Sequence, residues 1–117
     1  MHLSDDYVFD APAPRAATDC PVEDWLEFLG HRWNASILWH LSVGPRRFNL
    51  LAEHLPGITP KVLSERLQAL EMRGLVERHE GRTFPRSVTY ALTPDGAQVN
   101  SVIQLLEPLS KRLGERG

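Results

Sequence analysis

The fold is decided by residues 47–92, which read RFNLLAEHLPGITPKVLSERLQALEMRGLVERHEGRTFPRSVTYAL. Two stretches with the apolar spacing of helices meet at the turn Pro56-Gly57-Ile58, and the second stretch stops at Gly74. A short alternating segment, a polar loop with two arginines and a strand-like segment ending at Leu92 follow. This order predicts a helix-turn-helix followed by a β-hairpin wing, and the expected partner of such a winged helix is double-stranded DNA.

Charge is distributed unevenly along the 117 residues, although the whole chain carries a net charge of only -2. Residues 1–44 contain two basic and seven acidic side chains, whereas residues 45–92 contain eight basic and five acidic ones. Local charge matters more than net charge for contact with phosphates. The basic excess therefore lies in the segment that is predicted to bind DNA.

Several function classes lack their signals in this sequence. No apolar run approaches the ~20 residues of a membrane span, and the N-terminus does not resemble a signal peptide. A single cysteine excludes an internal disulfide and favours a cytoplasmic location. The chain shows neither a glycine-rich phosphate loop nor a nucleophile elbow, and its histidines lack metal-ligand spacing. We therefore expect no enzyme activity, no cofactor, no metal site and no membrane contact.

The domain organisation that we expect is an extended arm followed by one domain. Residues 1–19 show no sustained periodicity, and their apolar cluster at residues 7–9 leaves two alternatives, an arm packed on another surface or a disordered tail. Residues 20–117 then form a winged-helix domain, mainly α in an α+β arrangement. Its helix-turn-helix covers about residues 47–73 and its wing about residues 75–92.

Helix boundaries follow from proline, glycine and capping signals. Thr59-Pro60 and Thr93-Pro94 each combine an N-cap with proline at the first helical position. Pro108 predicts a break near Glu107. The expected helices are about 20–30, 33–41, 48–54, 60–73 and 93–113. The apolar faces of the first and last of these helices consist of Val22, Trp25, Leu26, Leu29, Val99, Val102, Ile103, Leu106, Leu109 and Leu113.

The helix after the turn normally enters the major groove with its N-terminal residues nearest the base edges. The candidate contacts here are Thr59, Lys61, Val62, Ser64, Glu65 and Gln68. A lysine reaches a phosphate or a guanine edge, a serine suits either phosphate or base, and a glutamine pairs with adenine. The alternative is an ordinary solvated helix face.

Arginines extend the candidate interface into the wing. Arg82 and Arg86 lie at the tip and the base of the loop, from which they reach the minor groove or flanking phosphates. Arg66 and Arg78 have two interpretations, since each either contacts DNA or braces the hairpin.

Ordered motifs along residues 20–113 resemble one known family. They are Cys20-Pro21-Val22, Gly30-His31-Arg32-Trp33, Gly44-Pro45-Arg46-Arg47-Phe48, Leu55-Pro56-Gly57-Ile58-Thr59-Pro60-Lys61-Val62-Leu63, Gly74-Leu75-Val76-Glu77-Arg78 and Leu92-Thr93-Pro94-Asp95-Gly96. The chain resembles the HxlR-type bacterial transcriptional regulators, which are relatives of the MarR group. The resemblance implies a winged helix, a homodimer built from helices at about 20–30 and 93–113, and binding to operator DNA. Because the family contains repressors and activators, the sign of regulation stays open.

Cys20 is a candidate sensor of oxidants or electrophiles. The Cys-Pro pair that opens the first helix is a feature of the resembled family, and some members sense through that cysteine. A helix N-terminus stabilises a thiolate, whereas the nearby carboxylates of Asp19 and Glu23 oppose it. The alternative is a buried, inert cysteine.

Four aromatic residues suggest a ligand pocket between the dimer helices and the DNA-binding part. They are Trp25, Phe28, Trp33 and Trp39, and the alternative is that they belong to the core. The sequence thus predicts a homodimeric, sequence-specific regulator of transcription, controlled through Cys20 or by a small ligand. The second reading is a winged helix used for protein association without DNA affinity, which the acidic net charge and Glu65 favour.

Overall fold

A computed structural model describes residues 21–82 and 87–114. Its elements in chain order are α1 (Pro21–Leu29), α2 (Asn34–Ser42), β1 (Arg46–Arg47), α3 (Phe48–His54), α4 (Pro60–Met72), β2 (Val76–Glu80), β3 (Val88–Leu92), α5 (Pro94–Gln104) and α6 (Glu107–Gly114). The predicted fold class, a mainly α winged helix with a β-hairpin wing, is confirmed. The predictions for the arm at residues 1–19, for Cys20 and for Arg86 fall outside the described residues.

The sheet has three antiparallel strands in the order β1-β3-β2. β2 and β3 form the hairpin, in which Val76 pairs with Leu92 and Glu80 with Val88. β1 adds to the other edge of β3 and places Arg46 opposite Tyr90. The sequence predicted only the two hairpin strands, because a two-residue strand is too short to show any periodicity.

The core lies between the helix-turn-helix and the sheet. Leu63, Leu67 and Leu70 recur along one face of α4 and are fully buried. They share one cluster with buried residues of the neighbouring elements, Ile37, Leu38, Leu41, Leu51, Leu55, Leu75, Val76 and Tyr90. This spacing leaves the opposite face of α4 free for solvent or a partner.

Two helices begin at the Thr-Pro pairs that the sequence predicted. The Thr59 hydroxyl accepts a hydrogen bond from the Val62 N–H at 3.1 Å, and the Thr93 hydroxyl accepts one from the Gly96 N–H at 3.0 Å. Each bond satisfies one of the backbone donors left free at a helix start. The Thr93 hydroxyl also donates to the carbonyl oxygen of Gly74 at 2.6 Å, which ties α5 to the end of the helix-turn-helix.

The junction between α1 and α2 corrects one prediction. Helix α2 begins at Asn34 rather than Trp33, because Trp33 has a φ of 80° in the left-handed region. A non-glycine residue there is strained and cannot start a right-handed helix. Trp33 is half-buried, and its ring lies near Gly57 in the turn of the helix-turn-helix.

The helices at the two ends of the described chain expose apolar side chains, most of which the sequence placed on apolar helix faces. On α1, Val22 and Leu26 are 64% and 65% exposed, and no residue of that helix is buried. At the other end the exposed large apolar residues are Val102, Leu106, Leu109 and Leu113, which the sequence named, and Leu105, which it did not. The predicted break is confirmed, since α5 ends at Gln104 and α6 begins at Glu107.

Candidate nucleic-acid interface

Helix α4 presents a polar face at its N-terminal end. The side chains exposed there are Thr59, Lys61, Ser64, Glu65 and Gln68, whereas Val62 is half-buried. All of them were named from the sequence, and they lie away from the buried leucines of the same helix. Thr59 also caps the helix, so its side-chain oxygen already holds one backbone donor. The face is a short, convex polar surface of the size that a major groove accepts.

The wing lies directly beside this face. A shallow cavity of about 210 Å³ separates α4 from the hairpin. It is lined by Ser64, Gln68, Glu71, Arg78 and Tyr90. Sequence reasoning missed Glu71, although its spacing from Ser64 and Gln68 at i+7 and i+3 places it on the same helix face. Tyr90 was not predicted at this site because its closeness to α4 depends on the sheet.

Arg78 braces the hairpin, which was one of its two predicted roles. Its Nη1 donates to Glu80 Oε1 at 2.7 Å along β2. Hydrogen bonds with Glu80 and with the Tyr90 side chain of β3 raise the pKa of the Arg78 guanidinium. Arg78 therefore links β2 to β3 on the side of the wing that faces α4, and it stays charged.

The other predicted arginines differ in exposure. Arg82 is exposed just after β2, at the start of the wing loop, whereas Arg66 is half-buried on α4. A half-buried guanidinium has fewer directions in which it can reach a phosphate. Arg82 is thus better placed for nucleic acid than Arg66.

A second basic position follows from the strand that the sequence did not reveal. Arg47 ends β1, serves as the N-cap residue of α3 and is exposed. With Asn49 and Ser87 it lines a groove of about 410 Å³ between α3 and the base of the wing. The adjacent pair Arg46-Arg47 before a short helix was the available signal. The position of Arg47 beside β3 could not be predicted without the pairing of β1 with β3.

The four aromatic residues of the predicted pocket are distributed over separate surfaces. Trp25 and Phe28 contact each other edge to face, with ring centroids 5.9 Å apart. Phe28 lines a cavity of about 190 Å³ beside Arg73, whereas Trp39 lines a different one of about 390 Å³ beside α5 and α6. Trp33 lies at the turn of the helix-turn-helix. All but the half-exposed Trp39 pack against the core, as the alternative interpretation expected.

Residues 21–82 and 87–114 lack two further kinds of feature. In that part of the chain, no helix is long and apolar enough to cross a bilayer. The same residues contain no cluster of three or more histidine, cysteine or carboxylate side chains that could hold a metal ion.

A capped polar helix beside a braced hairpin, both on one compact core, defines a winged-helix transcriptional regulator. The model of the HxlR-like helix-turn-helix family matches residues 28–117. The chain belongs to that family.

Named relatives agree with this assignment. The HTH-type transcriptional regulator YodB of Bacillus subtilis (strain 168) is 38% identical over 101 residues, which cover 86% of this chain and 90% of the relative. The solved reduced form of YodB has a TM-score of 0.76 at 37% identity and covers 84% of this chain and 97% of that one. The structure of the redox regulator HypR in its oxidized form has a TM-score of 0.73 at 30% identity. The match covers 80% of this chain and 96% of the HypR chain. The family and these relatives are regulators, not enzymes.

Proposed function

We propose that this protein acts as a homodimer that binds operator DNA sequence-specifically, with α4 as the recognition helix. The observation that carries the proposal is the exposed polar face at the N-terminal end of α4, held rigidly because the opposite face is buried in the core. A recognition helix needs this combination, since base edges are read only by side chains with a fixed position.

Individual roles follow from the chemistry of the exposed side chains. Lys61 lies in the first turn, where it contacts a phosphate or a guanine edge, and Gln68 lies two turns further along, where it pairs with adenine. Ser64 lies between them and suits either partner. Glu65 repels phosphate and accepts from a cytosine amino group, so it contributes selectivity rather than affinity.

Phosphate contacts on either side of α4 would orient the helix in the groove. Arg82 makes such a phosphate contact from the start of the wing loop. Arg86, which the sequence predicts at the base of the same loop, makes another. Arg47 and Asn49 at the start of α3 supply the contact on the other side. Arg78 acts indirectly, since its hydrogen bonds to Glu80 and Tyr90 hold the wing in shape.

Dimerisation is supported by the apolar surface of α1, α5 and α6. The exposed side chains Val22, Leu26, Val102, Leu109 and Leu113 lie on these three helices, and Leu105 and Leu106 lie in the turn between α5 and α6. A large set of exposed apolar residues marks an interaction surface. A second copy of the chain covers this surface in our proposal, which places two recognition helices on two half-sites about one helical turn apart.

The test measures DNA binding by fluorescence anisotropy. Reduced protein is titrated into labelled duplex from the DNA that flanks its own gene, over a series of salt concentrations, with scrambled duplex as the control. We expect tight, salt-sensitive binding that distinguishes the two duplexes. Equal affinity for both at every salt concentration would favour the protein-association reading, which Glu65 on the exposed face supports, or an operator elsewhere, which selection from random duplexes then tests.

Two lysine variants locate the interface. Lys61→Ala weakens binding to all duplexes and lowers the salt slope by about one if Lys61 contacts phosphate, or relaxes preference at one base pair if it reads guanine. Lys111→Ala removes the same charge from α6, where Lys111 pairs with Glu107 at 3.1 Å. We expect no change for the second variant. Unchanged affinity in Lys61→Ala would place the recognition face elsewhere.

We further propose that oxidation of Cys20 controls DNA binding. The support is similarity to HypR, which is a redox regulator, and the position of Cys20 immediately before α1 in the sequence. Because the chain has one cysteine, a disulfide must join two subunits or a small thiol. With diamide, two Cys20 thiols form one S–S bond, and the reagent takes up the two protons and two electrons that they lose.

The measurement is operator affinity before and after diamide, with a non-reducing gel to detect the linked dimer. We expect the wild type to change in both readouts and Cys20→Ser to change in neither. An identical oxidant response in Cys20→Ser would remove Cys20 from the mechanism.

A further inference from the structure

Arg73 joins the end of α4 to α1 through three side-chain contacts. It is the residue directly after α4, and its N–H still donates to the Ala69 carbonyl oxygen at 3.1 Å. Its Nη1 donates to Asp24 Oδ2 at 3.0 Å. Its guanidinium carbon lies 4.2 Å from the centroid of the Phe28 ring and 4.8 Å from that of Trp25. All three partners belong to α1, 45 to 49 positions earlier in the chain.

The two rings form a site that suits an arginine in particular. The planes of Trp25 and Phe28 are perpendicular, so the guanidinium contacts both rings while it donates to Asp24. A planar, delocalised cation can stack on an aromatic face and form directed hydrogen bonds at once. A lysine ammonium keeps the charge but has no planar face to stack.

The other contacts of α1 with the rest of the molecule come from three half-buried apolar side chains that pack against the core and from one hydrogen bond at its end. No residue of α1 is buried, and its half-buried residues are Trp25, Phe28 and Leu29. The junction that follows contains Trp33 in a strained left-handed conformation. Asn34 Nδ2 donates to the Phe28 carbonyl oxygen at 2.9 Å, but its buried Oδ1 has no hydrogen-bond partner among the described residues. The bond between Asn34 and Phe28 is therefore a second polar link between α1 and the rest of the molecule, beside that of Arg73.

We propose that Arg73 is a positioning residue that couples the orientation of α1 to that of α4. This inference rests on the proposed function, in which α1 belongs to the dimer interface and α4 enters the major groove. A dimer binds both half-sites only when its two recognition helices are correctly separated. Arg73 sets that separation because it fixes one end of α4 to the interface helix. Any signal that moves α1 reaches α4 through the same contacts.

The first experiment tests the contact without DNA. The full chain is labelled with 5-fluorotryptophan, and the Trp25 signal is identified by its loss in Trp25→Phe. We expect Arg73→Met to shift the ¹⁹F resonance of Trp25 and to leave those of Trp33 and Trp39 in place. An unshifted Trp25 resonance would overturn the proposal, whatever the DNA affinity.

The second experiment measures how strictly the dimer requires its half-site spacing. Wild-type protein selects a duplex from a random-sequence pool, and one base pair is then added to or removed from the spacer. We expect the ratio of Kd values between altered and selected spacing to fall at least fivefold in Arg73→Met, while affinity for a single half-site stays within twofold. An unchanged ratio would overturn the role of Arg73.

Matched variants separate positioning from charge. Arg112→Met removes one positive charge from exposed α6 and should keep the wild-type ratio. Arg73→Lys keeps the charge and should still lose the spacing preference, because a compact ammonium group lacks the broad guanidinium that contacts both rings and donates to Asp24. The slope of log Kobs against log salt should not change in Arg73→Met, whereas a phosphate contact would lower it by about one. A lowered slope would assign Arg73 to DNA contact instead.

A milder pair covers the case in which Arg73→Met fails to fold. Asp24→Asn removes only the ion pair, and Glu23→Gln removes one charge from the same helix turn. We expect about a twofold loss of spacing preference in the first and none in the second. A wild type that prefers no duplex would overturn the proposed function, whereas a selective wild type with unaltered Arg73 variants would overturn only the positioning role.

Discussion

Helix α4 buries its leucines within the chain, whereas helices α1 and α6 leave apolar side chains exposed. In α4 the leucines at positions 63, 67 and 70 are completely buried by other parts of the same chain. α1 and α6 contain no buried residue, and the leucines of α6 are exposed. The proposed recognition helix is thus stabilised within one subunit, whereas the end helices expose apolar faces of the kind that mark interaction surfaces.

The difference divides the molecule into a body and a set of attachments, the end helices, which expose apolar side chains. The body contains α2 to α4 and the sheet, and it holds the proposed recognition face in one position. The attachments contain the end helices, through which a partner subunit or a signal can act.

The largest effect is expected in the body. Leu67→Ala removes most of a fully buried side chain and should lower the free energy of unfolding by about 2–5 kcal/mol. Leu105→Ala, at a side chain that is 76% exposed, should change it by less than about 0.5 kcal/mol in the monomer. Urea denaturation at low protein concentration measures both. Similar losses in the two variants would contradict the division.

The second prediction concerns the attachments. Leu106→Glu places a charge on the exposed apolar surface of the end helices, and we expect at least a tenfold rise in the dimer dissociation constant, or about 1.4 kcal/mol. Sedimentation velocity over a concentration series gives the constant. Met72→Glu makes the same kind of change at an 81% exposed position on α4 and serves as the control. Equal effects in both variants would place the interface elsewhere.

Sequence reasoning succeeded where the signal was local. Thr59-Pro60 and Thr93-Pro94 located two helix starts because an N-cap oxygen and a proline act on neighbouring backbone groups. The turn at Pro56-Gly57 was also predicted from a local signal, because glycine favours the positive φ of 93° that Gly57 adopts.

Sequence reasoning failed where contacts are distant. β1 exists only because Arg46 pairs with Tyr90, 44 residues later. Periodicity placed Val22 and Leu26 on an apolar helix face, but it does not say what covers such a face, and both are exposed within this chain. Helical spacing identified the polar residues of α4 as candidate DNA contacts. That some of them lie close to Arg78 and Tyr90 could not be predicted, because it depends on how the sheet folds against α4.

The third prediction compares the two threonine caps, one at the start of the recognition helix and one where α5 leaves the body. Thr59→Ala loses one capping bond and should lower the free energy of unfolding by about 1 kcal/mol. Thr93→Ala should lower it by about 1 kcal/mol more, since its hydroxyl also donates to the Gly74 carbonyl oxygen. Urea denaturation measures both, and Thr→Ser at each position is the control. Equal losses would mean that the bond to Gly74 contributes nothing.

The smallest effect is a pH dependence inside the body. Burial, followed by repulsion from His54 and Arg46, lowers the pKa of His40 from its ordinary value of 6.5. The His40 and His54 rings lie 5.8 Å apart and connect α2 to α3, and Trp39 contacts His40 on the side of the end helices. Both charges that repel a protonated His40 therefore belong to the body.

The sign of the effect follows from proton binding. Because the folded pKa is the lower one, the unfolded chain binds the proton first as pH falls. The contribution of neutral His40 is complete above pH 6.5 and is lost between 6.5 and the lowered folded value. His40→Gln should flatten the fall in unfolding free energy with decreasing pH, and His54→Gln should flatten it partly by removing one repulsive partner. Denaturation curves across this range would contradict the assignment to His40 if His40→Gln kept the wild-type slope.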